Sequence, residues 1–288
     1  MVEKTFLIYE AVFGEFSHSR SCLPPLWIDN KYAALREVQH LSKIYQERIF
    51  EEADYCGVLS PKFALKTHHF VDVFFELADI CPNADVLLVN PFPQLESLSF
   101  NVWTQGEALH PGITQAAQEL ISGAGINVDI SDIGRMRGNV LCYCNFWAAS
   151  PRFWDAYFSR WMAPVWEHSL SLMKAGKPHL AFQPTYHVTG SNVLFPFIIE
   201  RLFSTFLVCT AGEFVVQSKQ FHYGEILERY CLDDVECGLW RQANAAVTAD
   251  SDLAVNKSMF SDFTRHYAEN IKSNYSEETH PHGSESWT

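Results

Sequence analysis

Apolar residues occur in the first ninety residues as short continuous runs, separated by longer segments with apolar positions every three or four residues. The short runs predict buried strands, and the longer spacing predicts helices that bury one face. In chain order the elements are strand 5–12, helix 31–53, strand 54–60, helix 67–81 and strand 85–90. This alternation is typical of parallel sheets with crossover helices. The predicted fold is therefore α/β, with a Rossmann-like, mostly parallel sheet flanked by helices in a single domain.

The rest of the chain is less regular, but its pattern also predicts helices and strands in alternation with loops. A loop or short helix is expected over 95–111, and a polar loop over 186–190. The further predicted elements are helix 113–122, strand 139–150, helix 151–175, helix 192–210, strand 213–221 and helix 259–272. Pro151 stands at the favoured first turn of its helix. We expect one domain over 1–275 and an acidic, disordered tail over 276–288.

Ligands of parallel α/β sheets bind outside the carboxyl ends of the strands. The loops 13–25, 60–67 and 90–94 follow predicted strands, so we expect the functional residues there. We expect a ligand at the ends of the strands that finish near Val12, Ser60 and Asn90.

Composition narrows the classes of function. The net charge is −13 over 288 residues, with no run of Lys and Arg, which argues against nucleic-acid binding. We find no signal peptide and no apolar stretch long enough to cross a membrane, and we expect a cytoplasmic protein. The eight cysteines form no paired CxxC spacing, so we expect reduced thiols and no zinc. The oligomeric state stays open.

Two charges stand inside the otherwise apolar segment 195–207. Burying an ion is costly unless a partner or a ligand compensates, so Glu200 and Arg201 are either structural ion partners or site residues. Adjacent helical residues point about 100° apart, so the two do not simply pair with each other.

The expected ligand-binding loops carry a second group of candidates. Asn90 opens a rigid Asn-Pro-Phe-Pro turn after a strand, and Lys62 and Lys66 follow the preceding strand, where they could meet a diphosphate. Tyr9 lies in the first strand. Solvated lysines and a plain strand exit are the alternative interpretations of these residues.

The irregular segment contributes Trp103, Glu107 and His110, of which His110 is the most plausible functional histidine. Asn145 belongs to the strand before the long aromatic helix. Asp129-x-x-Asp132 resembles a metal-binding carboxylate pair only weakly, and no Asp-x-Asp triplet follows an apolar strand, so no metal ligand is assigned.

Four segments together resemble the small GT-A-like glycosyltransferases encoded in bacterial capsule and polysaccharide loci. They are DYCGVLS at 54–60, the strand and turn at 85–93, NFWAASPRFWDAY at 145–157 and FIIERL at 197–202. The resemblance implies a glycosyltransferase that moves a sugar from a nucleotide-sugar donor to a saccharide acceptor. The family commonly holds Mn²⁺ or Mg²⁺ with Asp-x-Asp. Here Asn90-Pro91-Phe92 occupies that place, so metal dependence stays open.

In such a transfer, a carboxylate stabilises the developing oxocarbenium ion or accepts the proton of the acceptor hydroxyl. A cation stabilises the negative charge of the leaving diphosphate. The expected roles are catalytic for Glu200, Arg201 and Glu107; donor-binding for Tyr9, Lys62, Lys66 and Asn90; and acceptor-binding for Trp103, His110 and Asn145. Two alternatives remain: an S-adenosylmethionine-dependent methyltransferase, suggested by the Asn90 turn, and a non-catalytic carbohydrate-binding domain with a degenerate transferase fold.

Overall fold

The structure is a computed structural model that describes residues 4–13, 23–28, 35–185, 192–249 and 266. Its strands are β1 (Phe6–Phe13), β2 (Pro25–Ile28), β3 (Tyr55–Leu59), β4 (Val86–Leu88), β5 (Trp147–Ala149), β6 (Pro184–Thr185), β7 (Asn192–Val193) and β8 (Val216–Ser218). Its α-helices are α1 (Val38–Gln46), α2 (Phe63–Thr67), α3 (Val73–Ile80), α4 (Leu95–Leu98), α5 (Val102–Leu109), α6 (Ile113–Gly123), α7 (Pro151–Tyr157), α8 (Ala163–Lys174), α9 (Phe195–Cys209), α10 (Tyr223–Glu225) and α11 (Asp234–Ala249). Of the predicted helix 259–272 only residue 266 is described, and the polar loop 186–190 and the tail 276–288 lie outside the described residues.

Six of these strands form one sheet in the order β2-β1-β3-β5-β4-β8. The pairs β1–β2, β1–β3 and β4–β8 are parallel, whereas β5 is antiparallel to both β3 and β4. The α/β class with flanking helices is confirmed. The prediction of a mostly parallel sheet is wrong, because the sheet described is mixed, with β5 inserted against the direction of its neighbours.

The insertion of β5 places its first residue, not its last, beside the carboxyl ends of β3 and β4. The predicted strand 139–150 is too long, since only Trp147–Ala149 pair. Gly57 lies opposite Ala148, and a Cβ on Gly57 would stand 2.7 Å from the carbonyl oxygen of Trp147. A side chain at position 57 is therefore incompatible with this close approach of the two backbones.

Both faces of the sheet are covered. Cys56, Val58 and Leu88 belong to the larger core, which packs against α1, α5, α6, α7 and α9. Tyr55 and Leu87 point to the other face, into a smaller core with α3. Neighbouring residues thus enter opposite cores, which explains why β3 and β4 read as continuous apolar runs.

Several predicted helices have different bounds in the structure. The predicted helix 31–53 is α-helical only over Val38–Gln46 within the described residues. Thr67 ends α2 instead of capping a helix: its hydroxyl donates to the carbonyl of Phe63 (2.8 Å), and left-handed His68 follows. The next helix therefore begins only at Val73. The segment 95–111 contains two helices, α4 and α5. The strand β2 and the helix α11 were not predicted from the sequence.

The long helix after β5 begins as predicted. Ser150 accepts the backbone N–H of Phe153 (3.4 Å), and Pro151 occupies the first turn. The helix continues through a π-helical stretch, Phe158–Met162, into α8. Among the described residues, every helix is too short or too polar to cross a bilayer.

Candidate functional site

Four chain segments meet where β3 and β4 end, which we call the carboxyl edge of the sheet. They are α2 after β3, the turn after β4, the residues just before β5, and α9 in the larger core. The residues that they bring together are Lys66, Phe92, Cys144 and Glu200, with Asn145 next to Cys144 in sequence; these five residues are named here the edge cluster. Its members come from positions as far apart as 66 and 200, and only the reversed direction of β5 delivers residues 144 and 145 to this edge.

Lys66 is the cation of the edge cluster. It lies in the last turn of α2, and its Nζ donates to the Sγ of Cys144 at 3.1 Å. The same ammonium lies 5.8 Å from the ring centre of Phe92, within reach of a cation–π interaction. Lys66 is half-buried. The thiol and the ring together hold its positive charge above the end of β4.

Cys144 and Asn145 both have left-handed backbones, with φ of 61° and 54°. Two successive non-glycine residues in this region are costly, although Asn tolerates it better than most. The conformation points the Cys144 N–H at Glu200, whose Oε2 accepts it at 3.3 Å. Burial raises the pKa of the Cys144 thiol to about 11, while the nearby Lys66 charge lowers it, so the thiol stays protonated at neutral pH.

Glu200 is the carboxylate of the edge cluster. Loss of hydration raises its pKa above the ordinary value, although Lys66 and Arg201 favour the charged form; the Glu37 carboxylate adds to the increase. The residue retains partial exposure. The raised pKa and the partial exposure are compatible, because a carboxylate surrounded by protein can still present one oxygen to a ligand. A carboxylate with a raised pKa is a stronger base than an ordinary one.

Arg201 has a different environment from its neighbour. Its guanidinium is buried, and it donates to the carbonyls of Val102 (2.9 Å) and Phe197 (2.8 Å) and to the Oε1 of Gln105 (2.5 Å). A Cβ on Gly106 would come within 2.5 Å of its Nε. These contacts tie α9 to α5. Arg201 therefore lies between two helices, with three of its five N–H donors bonded to protein oxygens.

The candidates from the irregular segment do not join the edge cluster. Glu107 accepts the N–H groups of Gly112 (2.7 Å) and Thr114 (3.1 Å), which caps α6. Partial burial would raise the pKa of Glu107, but these hydrogen bonds outweigh it and lower the pKa. Trp103 is buried and donates to the Thr205 hydroxyl (3.0 Å).

His110 ends α5 and stacks on Phe197, with ring centres 4.0 Å apart. It is buried. Phe197 lies one turn before Glu200 on α9, so His110 touches the helix that carries Glu200 without a described contact to that carboxylate.

The donor-side candidates are divided. Asn90 uses its side chain on its own turn: Oδ1 accepts the Phe92 N–H (3.1 Å), and Nδ2 donates to the Phe92 carbonyl (3.2 Å). Lys62 precedes α2 near Lys66, where its N–H bonds the Ser60 hydroxyl (3.1 Å). Tyr9 lies within β1. Its pKa is raised by burial and by the neighbouring Cys56 and Glu52, and these two neighbours are remote from the carboxyl edge.

Sequence reasoning missed three residues near this edge. Glu10 is 1% exposed near the end of β1, opposite Leu59. The visible signal was a carboxylate within the apolar run at 5–12. Cys144 and Glu37 were overlooked because their role depends on tertiary contacts, and a backbone with positive φ at Cys144 leaves no mark in the sequence.

A surface cavity of about 420 Å³ lies at the opposite edge of the sheet, near the start of β1 and β3. Its lining includes Glu51, Glu52 and Asp54, with Lys4 as the cation. Asp54 already bonds Thr5, and Glu51 pairs with Arg48. A predominantly acidic cavity repels phosphate groups, so we place the candidate site at the carboxyl edge.

The described part of the chain contains no group of three or more His, Cys, Asp or Glu arranged to hold a metal ion. Comparisons with family models, curated proteins and solved structures found no match to this chain.

Proposed function

We propose that the protein is a glycosyltransferase that moves a sugar from a nucleotide-sugar donor to a saccharide acceptor at the edge cluster. The observation that carries the proposal is the placement of a cation, Lys66, and a carboxylate of raised pKa, Glu200, on either side of Cys144. Transfer needs both charges, one for the leaving diphosphate and one for the acceptor hydroxyl.

In the proposed reaction, the acceptor oxygen forms a bond to the anomeric carbon while the bond from that carbon to the diphosphate breaks. Glu200 takes the proton of the acceptor hydroxyl, and its raised pKa suits this role. Lys66 stabilises the charge that develops on the nucleoside diphosphate. Lys62, on the same loop, is the second candidate cation for the donor.

The structure narrows the candidates for each role. Glu107 and Arg201 were candidates for the carboxylate and the phosphate-binding cation, but their side chains are committed to an α6 cap and to a contact between helices. Asn90 also uses its side chain on its own turn, and the methyltransferase alternative has only the sequence of that turn in its favour. The proposal includes a GT-A-type sheet as the finer fold assignment, a cytoplasmic location and optional Mn²⁺ or Mg²⁺.

A thermal-shift screen tests the proposal. The probes are UDP-, GDP-, CMP- and dTDP-sugars, each with and without Mn²⁺ or EDTA, together with S-adenosylmethionine. A ligand at 100 times its dissociation constant stabilises the folded state by about 2.7 kcal/mol. We expect one nucleotide-sugar to raise the Tm. A response to S-adenosylmethionine alone would contradict the proposal.

Matched lysine variants locate the binding site. Lys66→Gln removes the cation at the carboxyl edge, whereas Lys174→Gln removes an exposed lysine at the end of α8. We expect the Lys66 variant to lose most of the nucleotide-induced shift and the Lys174 variant to keep it. Equal shifts in both variants would place the nucleotide elsewhere.

A further inference from the structure

Asn145 stands at the middle of the carboxyl edge. Leu88 pairs with Trp147, and the Val89 N–H donates to the Phe146 carbonyl at 3.0 Å, so Asn145 lies one residue beyond the last contact between β4 and the segment that leads into β5. On its other side, β5 continues along β3 from the pair Gly57 and Ala148. Asn145 thus lies between the exits of the two central strands, next in sequence to the Cys144 that contacts Lys66 and Glu200.

The side chain of Asn145 has an unused acceptor. The residue is 7% exposed, and its Oδ1 is buried without a hydrogen-bond partner among the described residues. A buried amide oxygen without a partner costs free energy, and native proteins rarely leave one so. Its backbone is also left-handed, which is a further cost. Costs of both kinds are concentrated at ligand sites.

The chemistry of the missing partner follows from the atom. An amide oxygen only accepts hydrogen bonds, so its partner carries a donor; a phosphate oxygen does not fit. A sugar hydroxyl is such a donor. Lys66 contacts Cys144, the residue before Asn145. Lys66 is assigned above to the diphosphate, and the group attached to that diphosphate is the sugar.

We propose that Asn145 is a specificity residue whose Oδ1 accepts a hydrogen bond from a hydroxyl of the donor sugar. The proposal rests on the proposed function, and it changes the sequence-based role of Asn145 from the acceptor to the donor sugar. Asn145 follows Cys144, whose thiol accepts a hydrogen bond from Lys66, so the residues assigned to the sugar and to the diphosphate meet at one turn.

The test compares Asn145→Gly with the wild type. Glycine adopts positive φ without cost, so the variant keeps the backbone and loses only the amide. Arg48→Gly is the control, because Arg48 is an exposed left-handed residue remote from the edge cluster. Affinities are measured by calorimetry for pairs of probes, namely UDP with UDP-glucose and GDP with GDP-mannose, and the Tm is measured for each variant.

We expect Asn145→Gly to have a Tm equal to or above that of the wild type. It should bind the sugar nucleotide about tenfold more weakly, the scale of one hydrogen bond, and the nucleoside diphosphate unchanged. Arg48→Gly should leave both affinities unchanged. A lower Tm, an unchanged affinity for the sugar nucleotide, or an equal loss for both probes would overturn this inference alone. If the wild type binds neither member of either pair and none of the nucleotide-sugars in the thermal-shift screen, the proposed function falls together with this inference.

Discussion

Replacement of Arg201 by Met is expected to lower stability without a specific loss of activity. Arg201 is 3% exposed, and its guanidinium donates two hydrogen bonds to α5 and a third to the Phe197 carbonyl of its own helix, α9. Hydrogen bonds to charged groups are worth about 1.5–3 kcal/mol each, but burial of the charge offsets part of that gain. The carbonyls of Val102 and Phe197 keep their intrahelical bonds, so the main uncompensated group is the Gln105 oxygen.

The expected net cost of Arg201→Met is therefore about 3 kcal/mol, the upper end for leaving a buried polar group without its partner. For a domain of this size, that corresponds to a fall in Tm of about 6–12 °C. Urea unfolding followed by tryptophan fluorescence gives the free energy, and scanning fluorimetry gives the Tm. The Tm and the unfolding free energy of Arg201→Lys should lie between those of the wild type and Arg201→Met, since an ammonium keeps the charge but lacks the planar fork of donors.

Activity separates the structural role from a catalytic one. Measured well below the Tm of the variant, kcat/KM of Arg201→Met should fall less than about tenfold, because no transition-state contact is removed. A variant that keeps its Tm within about 2 °C, or that loses activity by about 100-fold while folded, would refute the assignment of Arg201 to the helix contact.

Three further outcomes are expected. Glu200→Gln should cut turnover by about 100-fold, as when one electrostatic stabiliser is lost. The pKa of Glu200 is raised in the folded state, so the wild type loses stability as pH rises through that pKa. Gln stays neutral like the protonated carboxyl and does not lose this stability. The Tm of the variant minus that of the wild type, measured by scanning fluorimetry, should therefore rise with pH. Glu107→Ala should lose about 1 kcal/mol of unfolding free energy in urea at neutral pH, the usual worth of a cap, and the loss should disappear as pH falls through the lowered pKa of Glu107. Gly57→Ala should cost about 1–3 kcal/mol in the same assay, because its Cβ would meet the Trp147 carbonyl at 2.7 Å; an unchanged midpoint would show that β3 and β5 separate readily.

The sequence predicted the elements whose patterns are local. β1, β3, α6 and α9 agree with their predicted positions to within a few residues, and Ser150 and Pro151 mark the start of α7. The direction of β5 was beyond local reasoning. Its three residues are buried on both faces, so they carry no alternation, and direction depends on which strands lie beside them.

The candidate site was predicted in part. Lys66 and Glu200 were recognisable because charge is unusual in their surroundings, and the structure brings both to one residue, Cys144: Lys66 to its thiol and Glu200 to its backbone N–H. Sequence alone could not separate Glu200 from Arg201, since adjacent residues on one helix face different neighbours. Trp103 was proposed to bind the acceptor, but its hydrogen bond to Thr205 links α5 and α9 inside the core, and only the packed structure shows this.

The position of β8 has a consequence for how the chain folds. Val86 pairs with Val216, and the Val215 N–H bonds the Asp85 carboxylate across 130 residues of sequence. Contacts this distant are slow to form, since closing a long loop costs entropy before any contact compensates. A nascent chain that ends before residue 216 exposes β4 as an open apolar edge, and such edges recruit strands from other molecules. During synthesis, this protein therefore passes through an interval in which the strand beneath its candidate site presents an open apolar edge to other chains.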